Sequence, residues 1–222
     1  METQPKTKVN HEDVAYRAII RTIVDNLARP GDYLLETSLA ESLGLSRTPV
    51  SHALGRLLAE GFLEKRSKRG YFIPLPTPED ARQVFSVRQL VEGQAAAEAA
   101  MAVTPQEVVI LYQYLQECDD AVKREDKEYF STTNENFHLG IARFSRNSYL
   151  ERYVRQIFWR SNLYIIFFDG FYHHQGNSRP IQKTPEQHRR IVEAIEAKQP
   201  ALANRVMQEH ILHTYNSMVS AL

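Results

Sequence analysis

The stretch from Glu36 to Ile73, ETSLAESLGLSRTPVSHALGRLLAEGFLEKRSKRGYFI, constrains the fold more than any other part of the chain. Apolar residues recur at helical spacing in Leu39, Leu43 and Leu45. Ser46 then restarts the pattern at an expected helix N-cap, and Val50, Ala53, Leu54, Leu57 and Leu58 form the buried face of a second helix. Gly44 lies between the two, where a sharp turn favours a residue that tolerates positive φ. Gly61 closes the second helix. Phe62-Leu63-Glu64 and Tyr71-Phe72-Ile73 then flank a basic tip of Lys65, Arg66, Lys68, Arg69 and Gly70, which predicts two short strands around a wing. Helix, glycine turn, helix and wing make a winged helix-turn-helix, whose second helix enters a DNA major groove.

Charge placement agrees with that reading. The chain has 222 residues and no formal net charge, so it is not a general coat for nucleic acid. Between Arg47 and Phe72, however, Arg47, Arg56, Lys65, Arg66, Lys68 and Arg69 face only Glu60 and Glu64. Arg47 and Thr48 open the second helix, where base edges and phosphates are reached, with Ser46, Ser51, His52 and Arg56 along the same element. The single cysteine, Cys118, rules out an intramolecular disulfide and suits a reducing cytosol. No apolar run is long enough to cross a membrane and Met1 opens no signal-peptide pattern, so a soluble, cytoplasmic protein is expected.

In chain order, residues 1–10 are expected to be a disordered tail. His11 to Ala28 reads as an amphipathic helix with Val14, Ala18, Ile19, Ile23 and Leu27 near one face, closed by Arg29-Pro30-Gly31-Asp32. Pro74, Pro76 and Pro78 stiffen the connection that follows the wing, which places a domain boundary near Leu75. The DNA-binding domain is thus 11–75 and a second domain 76–222. Everything in the second domain reads as helix. Thr77-Pro78-Glu79-Asp80, Thr104-Pro105-Gln106-Glu107 and Thr184-Pro185-Glu186-Gln187 each put Thr at the N-cap and Pro in the first turn. Six helices follow, at about Pro78–Met101, Pro105–Arg124, Asp126–Phe144, Ser148–Phe168, Pro185–Ala197 and Pro200–Ala221, with one long loop from Phe171 to Lys183. The fold class is mainly α: a winged helix-turn-helix followed by an all-α bundle.

The run PGDYLLETSLAESLGLSRTPVSHALGRLLAEGFLEKRSKRGYFI resembles the N-terminal domain of GntR-family bacterial transcription regulators. Pro30-Gly31, Leu39-Ala40, Leu45 to Val50, Ala53-Leu54, Leu57, Glu60-Gly61 and Gly70 carry the likeness. Two positions depart from it: Ser51-His52 stand where many relatives have Arg-Glu, and Thr37 where some have a basic residue. An altered operator is expected from these changes, with DNA binding retained. The remainder resembles the FCD effector domain of the FadR-type branch, in its shorter, six-helix VanR-like version. Arg88-Gln89-Leu90-Val91-Glu92, Phe137-His138, Asn147 with Leu150, Glu186 to Ile191 and Glu209-His210-Ile211 carry that likeness.

Asn134, His138, His188 and His210 are the candidate chemical centre. Asn134 and His138 are four apart and share a helix face, and His188 and His210 come from the last two helices. Three imidazoles meeting in the core would suit one divalent ion per chain, Zn²⁺ or Ni²⁺. The alternative is that they are ordinary histidines held by hydrogen bonds. The resemblance implies a metal site of one carboxylate and three histidines, in which Asn134 replaces the usual Asp. It also implies that Arg88 faces the same cavity, where a guanidinium binds a carboxylate in two-pronged fashion; the alternative is a helix salt bridge from Arg88 to Glu92. Trp159, Arg160 and Tyr164 are either cavity wall or plain core. His173, His174 and His213 fall outside the pattern and read as loop or surface residues.

These readings predict a homodimeric repressor that binds double-stranded operator DNA and is controlled by a small carboxylate-bearing effector held by Arg88, Asn134, His138, His188 and His210. The competing prediction is a metal-dependent enzyme with an accessory winged domain. A hydrolytic metal site wants a general base, and Glu135 is turned away from the face of His138.

Overall fold

In the computed structural model, residues 10–25, 27–66, 70–168 and 183–219 are described. The chain divides into two compact units, one ending at Leu75 and the other beginning at Pro76. The first contains α1 (His11–Val24), β1 (Tyr33–Leu34), α2 (Glu36–Leu43), α3 (Arg47–Ala59), β2 (Glu64–Lys65) and β3 (Tyr71–Phe72). Its core forms where α1 lays Ala15, Ile19 and Ile23 against Val50, Ala53, Leu54 and Leu57 of α3. Val14 and Leu27, expected on that buried face, are exposed. The helix ends at Val24, so Leu27 lies beyond the periodicity that would have turned it inward.

Gly44 sits between α2 and α3 at φ +61°, the left-handed conformation that sequence spacing required of it. Ser46 has the extended backbone of an N-cap, but its side chain makes no capping hydrogen bond, contrary to expectation. The strands form one antiparallel sheet in the order β1-β3-β2, pairing Tyr33 with Phe72 and Glu64 with Phe72. Phe62 and Leu63, expected in the first wing strand, precede it and are buried in the core. The strand before α2 is not foreshadowed in the sequence, because a two-residue segment carries no periodicity.

The second unit is α-helical among its described residues: α4 (Pro78–Ala102), α5 (Pro105–Lys123), α6 (Lys127–Phe144), α7 (Ser148–Phe168), α8 (Thr184–Glu196) and α9 (Pro200–Val219). Thr77 caps α4 by accepting from the Asp80 amide, and Thr104 with Glu107 completes a capping box on α5. Thr184 departs from that design. It is the first residue of α8 itself, makes no cap and is buried.

Helix α4 is the centre of the bundle, packing on α6, α7, α8 and α9. Contact on several sides explains its run of small buried residues, Ala81, Ala95, Ala96, Ala99 and Ala100. At Gly93 a Cβ would lie 2.9 Å from Gln208 Cγ, so glycine is what permits the close approach of α4 and α9. No described helix is long and apolar enough to cross a membrane.

Candidate functional site

A cleft in the helical unit is lined by α4, α6, α7, α8 and α9 and measures about 410 Å³, its open mouth included. On α4, Arg88 and Glu92 lie one turn apart and are 1% and 2% exposed. Two fully buried charges in a helix demand partners. Arg88 Nε donates to Glu92 Oε1, and the other carboxylate oxygen, Oε2, holds Nδ1 of His138 on α6. Burial pushes the Glu92 carboxyl up, but the Arg88 guanidinium and the hydrogen bonds from Arg88 and His138 outweigh it and hold the group well below the usual carboxylate range. Arg88 also lies over Phe158, 5.0 Å from the ring centroid. Its Nη2 is buried and has no hydrogen-bond partner.

His138, His188 and His210 converge: one nitrogen of each lies within 4.8 Å of the others. The rings are held by packing and by their outer nitrogens. His188 stacks on Phe137 with centroids 3.9 Å apart, and His210 Nδ1 bonds Gln187 Oε1 at 2.9 Å. Holding Nδ1 in this way leaves Nε2 of His138 and of His210 for another role. His138 Nε2 is buried and unpartnered.

Nε2 of His188 and Nε2 of His210 are 3.3 Å apart. Two imidazole ligands at Zn–N distances of about 2.0–2.1 Å in a tetrahedral site would be separated by about 3.3–3.4 Å. Burial, followed by neighbouring positive charge, lowers the pKa of His188 and His210 well below the ordinary value. Burial lowers that of His138 too, against Glu92. All three are therefore biased to the neutral form that a metal requires. The carboxylate on the outer nitrogen of His138 is the usual support for a metal-bound imidazole. A divalent ion fits this donor set. Asn134, one turn before His138, is 5% exposed and lines the same cleft.

The sequence-predicted residues divide clearly. Arg88, Asn134, His138 and His210 line the cleft, and His188 meets His210 and His138 beside it. Arg88 makes the helix pair with Glu92, the alternative reading, and also lines the cleft with a buried Nη2 that has no partner. Glu92 escapes sequence reasoning as a site residue. Its signal is an acid one turn after Arg88 in an alanine-rich helix, which is costly to bury unless paired. His213, read as a surface residue, is half-buried and lines the cleft, with an Nε2 that is buried and unpartnered. Trp159, Arg160 and Tyr164 do not line it. Trp159 Nε1 donates to Glu135 at 3.0 Å, and Arg160 and Tyr164 both bond Asp80 at the start of α4. His173 and His174 lie outside the described residues.

On the winged unit, Arg47, Thr48, Ser51 and His52 line an open concavity with Glu36. Arg47 Nε donates to Glu36 Oε1 at 3.1 Å while the side chain stays 69% exposed, so the guanidinium is anchored without being removed from solvent. His52 lies 3.6 Å from Glu12. In the wing, Lys65 and Arg66 sit over Tyr71 and Phe72, and Gly70 turns at φ +100°. Lys68 and Arg69 lie outside the described residues. Arg56, expected to face DNA, is instead occupied within the unit. It bonds Glu60 and Asp13 and lies 3.9 Å over the Tyr16 ring, whose hydroxyl donates to the same buried Glu60 at 2.7 Å.

The chain matches the family "Bacterial regulatory proteins, gntR family" over residues 12–73 and the FCD domain over residues 83–213. It is 27% identical over 200 residues to the HTH-type transcriptional regulator YdhC of Bacillus subtilis (strain 168), covering 89% of this chain and 86% of that protein. It is 31% identical over 140 residues to the HTH-type transcriptional repressor RspR of Escherichia coli (strain K12), covering 62% and 60% respectively. Among solved structures, E. coli McbR/YncC has the same fold, with a TM-score of 0.75 at 23% identity over 94% of this chain and 99% of that one. The chain therefore belongs to the GntR family of bacterial regulatory proteins and carries an FCD domain: it is a DNA-binding transcriptional regulator with a domain of the ligand-responsive type, and not an enzyme.

Proposed function

We propose that this regulator is a cytoplasmic homodimeric repressor of the FadR-type branch, in its six-helix VanR-like form, released from its operator by a small organic acid. Ser46, Arg47, Thr48, Ser51 and His52 would meet one half-site, with Lys65, Arg66 and Gly70 at the flanking phosphates. His138, His188 and His210 would hold one divalent ion, Zn²⁺ or Ni²⁺, with Asn134 as a neutral oxygen donor. That ion would supply positive charge that attracts an anion. The naming of RspR as a repressor supports the sign of the response.

The observation that carries the reading is the meeting of an unpartnered Arg88 Nη2 with His138 and His210 in one cleft, with His188 converging on both imidazoles from beside it. A desolvated guanidinium nitrogen without an acceptor is costly to maintain, and a carboxylate satisfies it. Ligand control then follows from a difference in acid affinity between the operator-bound and free arrangements.

The test has two parts on untagged, full-length protein purified without chelators. Metal per chain is measured by mass spectrometry, with near one equivalent expected and loss on His138→Ala or His188→Ala. Operator binding is then followed by fluorescence anisotropy against a panel of small carboxylic acids, with release expected and abolished by Arg88→Met. Absence of metal after incubation with Zn²⁺ and Ni²⁺ removes the ion from the proposal. Acids that bind without changing operator affinity remove the repressor mechanism.

A further inference from the structure

One wall of the cleft has a chemistry that the metal and Arg88 do not use. His210, His213, Thr214 and Ser217 recur on α9 at spacings of three and four, so they form one helical stripe, and all four line the cleft. Thr214 Oγ1 donates to the His210 carbonyl at 3.0 Å, and Ser217 Oγ donates to the Thr214 carbonyl at 2.7 Å. Each hydroxyl proton is thereby committed to the helix backbone. What the two oxygens still offer to a ligand is acceptor lone pairs. On the same stripe is His213 Nε2, buried and without a partner.

The two sides of the cleft are therefore complementary to different groups. Arg88 Nη2 requires an acceptor, whereas Thr214 and Ser217, their protons spent, offer only lone pairs and so admit a donor. A purely hydrocarbon tail would leave His213 Nε2 unpaired and cover the free lone pairs of the two oxygens without using them. An ammonium group would donate, but none of the described lining residues is Asp or Glu, so its charge would go unmatched. A neutral hydroxyl meets both demands, since it donates to Thr214 or Ser217 and can pair with His213 through its own oxygen.

We infer that the effector is a hydroxycarboxylic acid, and that His213, Thr214 and Ser217 of α9 form its hydroxyl-recognition subsite and select it over the unsubstituted and amino acids of the same skeleton. The inference rests on the reading of the cleft as the effector site.

The experiment uses two matched series, propionate, lactate and alanine, and succinate, malate and aspartate, titrated into the full-length protein by calorimetry. In at least one series the hydroxy acid should bind about tenfold or more tightly than both of its analogues, the size expected when one or two buried hydrogen bonds distinguish the ligands. Ser217→Ala, Thr214→Val and His213→Leu should each reduce that advantage severalfold while affinity for the unsubstituted acid is retained. Ser217→Ala removes one oxygen and adds no bulk, so a folded variant is available. Equal binding of hydroxy and unsubstituted acids by the native protein overturns the subsite and leaves the acid-binding cleft standing. Tighter binding of the amino acids overturns the charge argument. Failure of all six acids to bind overturns both the subsite and the effector reading. A preference for hydroxy acids that survives all three substitutions overturns the assignment to α9.

Discussion

Glu92 offers the sharpest test of how the helical unit holds its charges. Its carboxylate is 2% exposed and accepts from Arg88 on one oxygen and from His138 on the other. Glu92→Gln preserves shape and one acceptor but turns an amide N–H₂ toward one of two former donors, and it removes the negative charge that pairs with the Arg88 guanidinium. Breaking a buried ion pair from one side costs about 3–5 kcal/mol, because the surviving charge stays buried. For a unit of this size each kcal/mol moves the melting midpoint by roughly 2–4 °C, so a fall of roughly 6–20 °C is expected. Trp159, the only tryptophan and itself buried in α7, reports this unit by fluorescence in urea or on heating. The measurement belongs in chelator, so that ion binding adds nothing by mass action. The exposed pair of Arg190 and Glu209 is the control, and Glu209→Gln should cost at most about 1 kcal/mol. Replacing both partners, as in Arg88→Met with Glu92→Leu, should recover much of the loss. A Glu92→Gln variant within about 1 kcal/mol of the native protein would show that the Arg88 charge is matched elsewhere, and would refute the reasoning.

Two glycines should respond with opposite sign: Gly140→Ala drives a Cβ to 2.8 Å from the rigid Tyr114 ring and should destabilise by about 1–3 kcal/mol, whereas Gly55→Ala in α3 meets nothing within 4 Å and should stabilise by about 0.5–1 kcal/mol, both read by urea denaturation. Cys118 is fully buried, and burial first, then Asp119 and Glu117, push its thiol up to about 12. It should resist an alkylating reagent at pH 8 in the folded protein and react at once in urea, and rapid native labelling would contradict its placement. Glu36→Gln should release Arg47 from its anchor and remove an acid from the open concavity that Arg47, Thr48, Ser51 and His52 line. Affinity for unrelated DNA should rise a few-fold and discrimination for operator fall, measured by anisotropy at two salt concentrations.

The elements most legible in the sequence are those with strong periodic or capping signals. Thr77-Pro78 and Thr104-Pro105 locate the starts of α4 and α5 because Thr at the N-cap and Pro in the first turn suit little else. Thr184-Pro185 carries the same letters and misleads by one residue, since Thr184 is drawn into the wall of the cleft. The imidazoles are legible through spacing and resemblance, but Glu92 and His213 are not. An acid four residues after an arginine looks like any exposed helix pair, and only the bundle shows that a third helix brings His138 to its free oxygen. His213 lacks a signal because its role depends on which face α9 turns toward the cleft, and that helix is only weakly amphipathic in sequence.

The basic character of the winged unit shows where local sequence arithmetic misreads a surface. Counting from Arg47 to Phe72 sets six bases against Glu60 and Glu64. Folding adds acids from outside that window: Glu36 to Arg47, Glu12 to His52, and Asp13 to Arg56. Arg56 is tied into the helix packing, since Glu60 and the Tyr16 ring hold it against α1 with its side chain 38% exposed. The recognition face is therefore less cationic than its own residues suggest, and Arg47 is held in place by Glu36. Such an arrangement weakens sequence-independent attraction to phosphates while fixing the guanidinium that the proposed function assigns to a base edge. Discrimination between operator and bulk DNA then depends on a modest number of phosphate contacts, and the salt dependence of binding should be correspondingly shallow. A slope of log affinity against log salt requiring about six or more neutralised phosphates per winged unit would contradict this account of the surface.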